Sequence, residues 1–228
     1  MCGRFATKGK AREMAQQLGI EEVDLPERFN IAPTTMAVAV VADPAPRWTF
    51  LRWGLVPGWA KDISIGNKLI NTRSETILQK PSFRSAFKRR RCLIPAVGYY
   101  EWRRAENVKQ PYFHTFLDDR HMAMAGIWEH WQSPEGSEME SFSLITTSAN
   151  EMASKVHHRM PVILDPVDWM TWLNHSTEDV SHQLPLLKPY RGDNFQLYKV
   201  SRDVNSVRND RPDLIQPLPH TPDLFPGF

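Results

Sequence analysis

Apolar residues recur at helical spacing in two short stretches of the chain. In the stretch 10–20, one side of the predicted helix carries Ala11, Met14, Ala15 and Leu18. Gly19 follows where this helix is expected to end, because glycine readily adopts the left-handed conformation of a C-cap. In the stretch 164–174, we expect Asp165 as the N-cap and Pro166 at the first helical position. The apolar face of this second helix is expected to carry Trp169, Met170 and Leu173.

Five other runs are rich in β-branched and aromatic residues and are bounded by proline, glycine or aspartate, which is typical of strands. They are residues 35–42, 47–53, 111–119, 120–131 and 141–148. The third and fourth runs meet at the sequence DDR and are therefore expected to form a hairpin. Strands and helices do not alternate regularly, and the chain shows no internal repeat. The pattern predicts a β-rich α+β fold.

The composition narrows the class of protein. The chain has 228 residues, 41% of them hydrophobic, which is enough for the core of one domain. The formal net charge of +2 does not by itself indicate a polyanionic partner. Cys2 and Cys92 are the only cysteines, which excludes a disulfide framework, and neither CxxC nor HExxH zinc spacing occurs. No apolar run after Met1 resembles a signal peptide or membrane span, so we expect a cytoplasmic protein. Because no zinc spacing occurs, we expect no metal, and we expect no cofactor.

The chain begins MCGRFA, so Cys2 becomes the first residue if Met1 is removed. An N-terminal cysteine carries an amine and a thiol on adjacent carbons, with ordinary pKa values of about 7.7–8.0 and about 8.5. The amine can form a Schiff base with an aldehyde, after which the thiol adds to the same carbon and closes a five-membered thiazolidine ring. This second step is intramolecular and gains a high effective concentration. Cys2 is therefore a candidate nucleophile.

Three later stretches place polar groups beside apolar strands. In LINTRSET, a polar string at residues 71–76 follows two apolar residues. In RRRCLIPAVGYYEWRR, Glu101 ends an apolar strand, where partial desolvation favours acid/base chemistry, and Cys92 is expected in the core. In KVHHRMPVIL, His157 and His158 are adjacent. Because successive side chains on a strand point to opposite faces, at most one of the two is expected to face a site.

Eight short motifs follow one another along the chain: MCGRF, FNIAP, WGLVPGWAKD, INTRSET, IPAVGYYEW, ITTSAN, VHHRMPVIL and VNSVRNDRPDLIQP. This series resembles that of the SRAP family, the SOS response-associated peptidases, from Cys2 to about Pro217. The resemblance implies a single domain over residues 1–228, in which 218–228 form a C-terminal tail. It also implies a twisted, barrel-like antiparallel sheet core with short flanking helices.

The resemblance further implies a role in the response to DNA damage. Members of the family bind abasic sites in single-stranded DNA and cross-link to the ring-opened sugar through a thiazolidine on the N-terminal cysteine. The catalytic residues implied in this sequence are Cys2 as nucleophile, Asn71 as the group that positions it, Glu101 as acid/base and His157 as the group that assists ring opening. The implied DNA-binding residues are Arg4, Pro33, Trp59, Arg73, Thr147 and Arg159.

The family resemblance also implies properties of the whole protein. The peptidase label refers to a self-processing step that would remove Met1, and an abasic-site lyase activity is expected with it. We expect a monomer without a membrane partner, associated with the nucleoid during repair. The basic cluster at residues 89–91 is interpreted either as part of the DNA groove or as a solvated turn.

Two other functions fit part of the pattern. N-terminal-nucleophile glutamine amidotransferases also begin Met-Cys-Gly, but they continue with an apolar strand and use an Asn-Gly pair. In this chain Arg4 follows Gly3, and no Asn-Gly dipeptide occurs. A non-catalytic reader of single-stranded DNA would use the arginines and Trp59 and leave Cys2 unmodified. A cross-link that survives denaturing electrophoresis separates the two DNA-binding hypotheses.

Overall fold

The computed structural model describes residues 2–105, 108–118 and 120–219. The α-helices in these ranges are α1 (Arg12–Leu18), α2 (Pro81–Arg89), α3 (Glu151–Ser154) and α4 (Trp169–Leu173). The strands are β1 (Arg4–Thr7), β2 (Arg28–Ile31), β3 (Met36–Ala42), β4 (Pro46–Trp53), β5 (Asn71–Arg73), β6 (Arg91–Ala96), β7 (Gly98–Ala105), β8 (Val108–Phe116), β9 (Met122–Gln132), β10 (Glu138–Ser148), β11 (Arg159–Pro161), β12 (Ile163–Leu164) and β13 (Phe195–Lys199). Within the described ranges, no helix is long and apolar enough to cross a membrane.

Five strands close into a barrel in the order β10-β4-β3-β6-β9, because β9 also pairs with β10. The barrel-like core implied by the family resemblance is thus confirmed. Two pairings differ from the antiparallel expectation, since β4 and β5 both run parallel to β10. After residues 54–70, β5 pairs with β10 in the same direction as β4 does, and Asn71 lies opposite Leu144. This second parallel pairing fixes Asn71 at the rim of the barrel.

A second sheet lies beside the barrel, with its strands in the order β13-β8-β7-β1-β2. Phe5 on β1 packs edge-on against Trp53 on β4, with ring centroids 5.1 Å apart. Cys2 belongs to the same buried apolar cluster as these two rings. The N-terminal residues are therefore held between the two sheets.

The prediction of a hairpin over residues 111–131 is wrong, because β8 and β9 do not pair with each other. β8 pairs with β7 and β13 in the second sheet, whereas β9 pairs with β6, β10 and β12 in the barrel. Nearly all side chains of β9 are buried on both faces of the strand, which is typical of a central strand with a hydrogen-bonded strand on each edge and packing on each face. The chain crosses between the sheets at the expected turn, of which Asp119 lies outside the described residues.

The two predicted helices form, with one correction. Met14, Ala15 and Leu18 are buried on α1, and Gly19 ends the helix with a φ of 65°. Asp165 is the N-cap of a 3₁₀ turn that leads into α4, although its side chain makes no capping bond. The buried face of α4 consists of Trp169, Trp172 and Leu173. Met170 is half-exposed, so it is not part of the buried face as predicted.

The basic cluster at residues 89–91 is neither an open DNA groove nor a solvated turn. The guanidinium of Arg91 is buried and donates to the carbonyls of Phe87, Lys88, Trp172 and Asn174. Arg90 forms an ion pair with Glu129, with Nη2 2.7 Å from Oε2. Arg89 contacts Glu178 at 3.3 Å. This cluster therefore joins α2 to the barrel and to the end of α4.

Candidate active site

A cleft of about 1080 Å³ opens at the N-terminal end of β1. Four of the residues proposed from sequence line it: Arg4, Pro33, Glu101 and His157. Arg104 and Lys109 on the hairpin of β7 and β8 add two exposed positive charges to the lining, which sequence reasoning did not single out. The cationic side chains outnumber the single carboxylate, so the cleft favours an anionic ligand.

Cys2 lies directly behind the wall of this cleft, next to Gly3. It is fully buried, and its carbonyl oxygen accepts a hydrogen bond of 2.8 Å from Nδ2 of Asn71. The thiol contacts the carbonyl of Arg4 at 3.7 Å. Burial raises the pKa of the Cys2 thiol, and the charge of Glu101 raises it further. The thiol is therefore protonated at neutral pH, and a nearby base is needed for it to react as a nucleophile.

Glu101 and His157 lie close together beside Cys2. Oε2 of Glu101 is 3.9 Å from Nδ1 of His157, and Oε1 accepts from the backbone NH of Trp102 at 3.3 Å. Nδ1 of His157 accepts from the backbone NH of Arg159 at 3.0 Å. Burial lowers the pKa of His157, and the charge of Glu101 partly offsets this. The imidazole is thus neutral at pH 7. Nδ1 lies 3.0 Å from the backbone NH of Arg159 and 3.3 Å from its carbonyl oxygen, and the shorter contact favours the tautomer with the proton on Nε2.

Both histidines of the HH pair line the cleft, so the expectation that only one faces a site is wrong. The two residues lie before β11 in an irregular segment, where the alternation of a strand does not apply. Their rings stack with centroids 4.3 Å apart. His158 is exposed, whereas His157 is half-buried and next to Glu101. The two positions therefore differ in chemical environment.

Arg159 is already engaged by a carboxylate. Its guanidinium forms a two-pronged ion pair with Glu75 at 2.6 and 3.0 Å and also donates to the carbonyl of Thr146 at 2.6 Å. These hydrogen bonds lower the pKa of Glu75. A phosphate binds a guanidinium through the same pair of NH groups as a carboxylate does. It would therefore have to displace Glu75 to form two hydrogen bonds with Arg159.

The other predicted DNA-binding residues lie in different environments. Arg73 is exposed on β5, and Trp59 is 62% exposed in the loop 54–70. Thr147 is buried on β10, and its hydroxyl donates to the carbonyl of Leu187 at 3.4 Å. The structure thus brings four of the predicted residues to the cleft and places Arg73, Trp59 and Thr147 outside its lining.

The far wall of the cleft depends on two residues that sequence reasoning missed. Nδ2 of Asn30 donates to the carbonyls of Val204, Ser206 and Asn209. The carboxylate of Asp210 accepts from the backbone NH groups of Phe29 and Asn30. These contacts join the FNIAP motif to the VNSVRNDRP motif. The joined segment in turn holds Arg4, whose Nη1 donates to Val204, and Asn205, which accepts from the Trp102 indole.

Among the residues that the structure describes, no group of three or more histidine, cysteine, aspartate or glutamate side chains is arranged to hold a metal ion. The groups that meet at the site are instead a thiol, a carboxylate, an imidazole and a primary amide. Together with the cationic cleft, they define a barrel domain with a candidate active site beside its N-terminal residues.

The family model described as SOS response associated peptidase (SRAP) matches residues 1–207, and the chain belongs to this family. The abasic site processing protein YoqW of Bacillus subtilis (strain 168) is 40% identical over 223 residues, which are 95% of this chain and 99% of that protein. The abasic site processing protein HMCES of Gallus gallus is 35% identical over 192 residues, 74% of this chain and 56% of that protein. A crystal structure from Bacteroides thetaiotaomicron superposes with a TM-score of 0.83 at 29% identity, covering 95% of this chain and all of that one. The resemblance stated from sequence is confirmed.

Proposed function

We propose that this protein processes abasic sites in single-stranded DNA and becomes covalently linked to them through Cys2. Its relatives are named abasic site processing proteins, which supports the abasic site as the lesion that is recognised. The cationic cleft supports binding of an anionic polymer such as DNA. The observation that carries the proposal is the 2.8 Å hydrogen bond from Asn71 to the Cys2 carbonyl. It fixes the residue that carries the amine and the thiol at the wall of the cleft, beside Glu101 and His157.

The first chemical step is the opening of the abasic sugar. The C1 hydroxyl loses its proton to a base, the bond from C1 to the ring oxygen breaks, and the ring oxygen takes a proton from an acid. Neutral His157 gives its Nε2 proton to the ring oxygen, and the Glu101 carboxylate accepts the hydroxyl proton. Glu101 then passes that proton to Nδ1 of His157, 3.9 Å from Oε2, so that the imidazole is neutral again and Glu101 is again a carboxylate. The product is an aldehyde at C1.

The second step joins the protein to this aldehyde. Once Met1 has been removed, the amine of Cys2 attacks C1, and loss of one water gives an imine. The thiol then adds to the imine carbon, so that a bond from sulfur to carbon forms and the electron pair of the C=N double bond moves to nitrogen. The thiol proton ends on that nitrogen, and the product is a thiazolidine. Asn71 keeps both reacting groups of Cys2 at the same place throughout.

The finer properties of the protein are part of the same proposal. A single strand is the expected substrate because an exposed indole such as Trp59 can stack on unpaired bases, which a duplex does not offer. Removal of Met1 by the protein itself, and strand cleavage from the imine intermediate, would use the same carboxylate and imidazole. We place this activity in the cytoplasm, on nucleoid DNA, and in a monomer.

Intact mass spectrometry tests the proposal directly. The protein is incubated with a single-stranded oligonucleotide that carries one abasic site, and an identical strand without the lesion is the control. The expected product has the mass of the chain without Met1 plus that of the oligonucleotide, less one water. Cys2→Ser keeps the amine but not the thiol, so it should bind DNA and give no adduct that survives denaturing electrophoresis without reduction. An undiminished adduct with this variant would remove Cys2 from the mechanism, and binding without any adduct would favour a non-catalytic DNA reader.

A further inference from the structure

A cluster of buried polar side chains lies behind Glu101, on the second sheet. In the register of β7 and β8, Tyr99 lies opposite His114, and Glu101 lies opposite Tyr112. Paired residues, and residues two apart on one strand, point to the same face of a sheet. The four side chains therefore share one face, and all of them are buried.

The Tyr99 hydroxyl is one of three polar groups in this cluster, with the Tyr112 hydroxyl and Nδ1 of His114, that lack a hydrogen-bond partner among the described residues. It is buried, and no hydrogen-bond partner for it lies among residues 2–105, 108–118 and 120–219. Such a group loses its bonds to water without replacement, so phenylalanine would be the more stable residue here. The adjacent Tyr100 shows the ordinary arrangement, because its hydroxyl donates to the carbonyl of Phe29 at 2.7 Å. The hydroxyl of Tyr99 is therefore retained at a cost to stability.

The surroundings of Tyr99 indicate what its hydroxyl can do. Tyr99 packs in the same buried cluster as Cys2, and it is two residues before Glu101 on the same face of β7. Burial raises the pKa of Tyr99, and the charges of Cys2 and Glu101 raise it further. The hydroxyl thus remains protonated, so it can donate a hydrogen bond to a neighbouring anion.

The ring of Tyr99 is held in place by His114. The two rings are nearly parallel, with an interplanar angle of 14° and centroids 4.5 Å apart. Burial lowers the pKa of His114 to about 3, so its imidazole stays neutral at any pH at which the protein would work. The ionisable groups that face Tyr99 are then Cys2, Glu101, His114 and Tyr112, with His157 beyond them.

We propose that Tyr99 is a positioning residue of the active site, whose hydroxyl becomes a hydrogen-bond donor to the Glu101 carboxylate when the carboxylate turns toward the Cys2 thiol during ring closure. The proposal rests on the cross-linking function proposed above. In this step, Glu101 takes the thiol proton as the bond from sulfur to carbon forms, and it returns the proton to the imine nitrogen. Without this donor, the carboxylate keeps its position beside His157, with Oε2 3.9 Å from Nδ1.

The test separates the two covalent steps. Reactions with a single-stranded abasic oligonucleotide are stopped at successive times, either with or without borohydride, and run on denaturing gels. Adduct seen only after reduction is the imine, and adduct seen without reduction is the thiazolidine. For Tyr99→Phe, we expect imine formation at the wild-type rate and ring closure slowed about ten- to a hundredfold, the loss found for hydrogen-bond partners that orient the ligands of metal sites. Its unfolding midpoint should be unchanged or higher.

Tyr100→Phe is the matched control, since it removes a satisfied hydroxyl one residue away and should lower the unfolding midpoint without changing the ratio of imine to thiazolidine. Equal ring-closure rates in Tyr99→Phe and wild type would overturn the role of Tyr99 and leave the cross-linking function intact. A lower unfolding midpoint in Tyr99→Phe with both steps slowed equally would show that Tyr99 is merely structural. Failure of the wild type to form either adduct would overturn both proposals.

Discussion

Replacement of His157 by alanine should slow adduct formation far more than it weakens DNA binding. His157 lines the cleft, and its Nδ1 is occupied by the backbone NH of Arg159, which leaves Nε2 as the proton donor. Loss of a well-placed general acid or base typically costs about a hundred- to ten-thousandfold in rate. Arg4 and the other cationic residues of the cleft are unchanged in the variant, so the affinity for the strand should stay within a few-fold of wild type.

The pH profile provides a second signature of the same residue. Because burial lowers the pKa of His157, its neutral form is present at pH 7 and is lost only below about 6.5, the ordinary value. The amine of Cys2, with an ordinary pKa of about 7.7–8.0, must also be neutral to attack. The logarithm of the wild-type rate should therefore rise with a slope of one between these two pKa values and with a slope of two below both. His157→Ala should show a slope of one throughout.

Single-turnover cross-linking rates measured from pH 5 to pH 8 decide the matter. His158→Ala is the matched control, because His158 is exposed and only stacks on its neighbour, so its rate should stay within about threefold of wild type. Glu101→Gln keeps the size of the side chain and should be slow like His157→Ala. If His158→Ala is the slow variant, the assignment within the pair is reversed. If none of the three variants is slow at matched unfolding midpoints, the acid/base scheme is refuted.

Three further predictions concern DNA binding and stability. Trp59→Ala should weaken single-strand binding by roughly 1–3 kcal/mol, the value of one lost stack, in fluorescence anisotropy, and an equal loss for duplex would contradict this. Glu75→Gln should free Arg159, tighten binding and steepen the salt dependence by a slope of about 0.7, and an unchanged slope would exclude Arg159 as a phosphate ligand. Asn30→Ala removes the two N–H donors that three carbonyls share and should lower the free energy of unfolding by roughly 2–4 kcal/mol in denaturant titrations, whereas a loss within error would show that these contacts are dispensable.

Local sequence signals predicted the elements well but not their partners. The helix that ends at Gly19 and the strand 35–42 follow from spacing and residue type, which depend on near neighbours along the chain. The sequence DDR correctly marks a change of direction after β8, but a turn signal does not state whether the next strand returns to the same sheet. The parallel pairing of β4 and β5 with β10 could not be predicted from local sequence either, because it depends on a loop whose path is set by tertiary packing.

The site residues divide in a similar way. Cys2 could be proposed from chemistry alone, and Glu101 and His157 from chemistry together with the family motifs. The partners that set their environment could not, because Asn30 and Val204 are 174 residues apart in the chain and both belong to motifs that look self-contained. Glu75 is two residues from Arg73 in the sequence, but the fold pairs it with Arg159, 84 residues away.

The burial of Cys2 bears on how a 1,2-aminothiol can be selective. Free thiolates react with many electrophiles and oxidants, and their reactivity depends on the fraction that is ionised. In this structure the thiol is fully buried with a raised pKa, so that fraction is small. Under the proposed mechanism, the thiol loses its proton only when an imine has formed on the adjacent nitrogen and Glu101 is placed to accept that proton. Selectivity then resides in imine formation, because only an aldehyde that reaches the amine through the cationic cleft leads to ring closure.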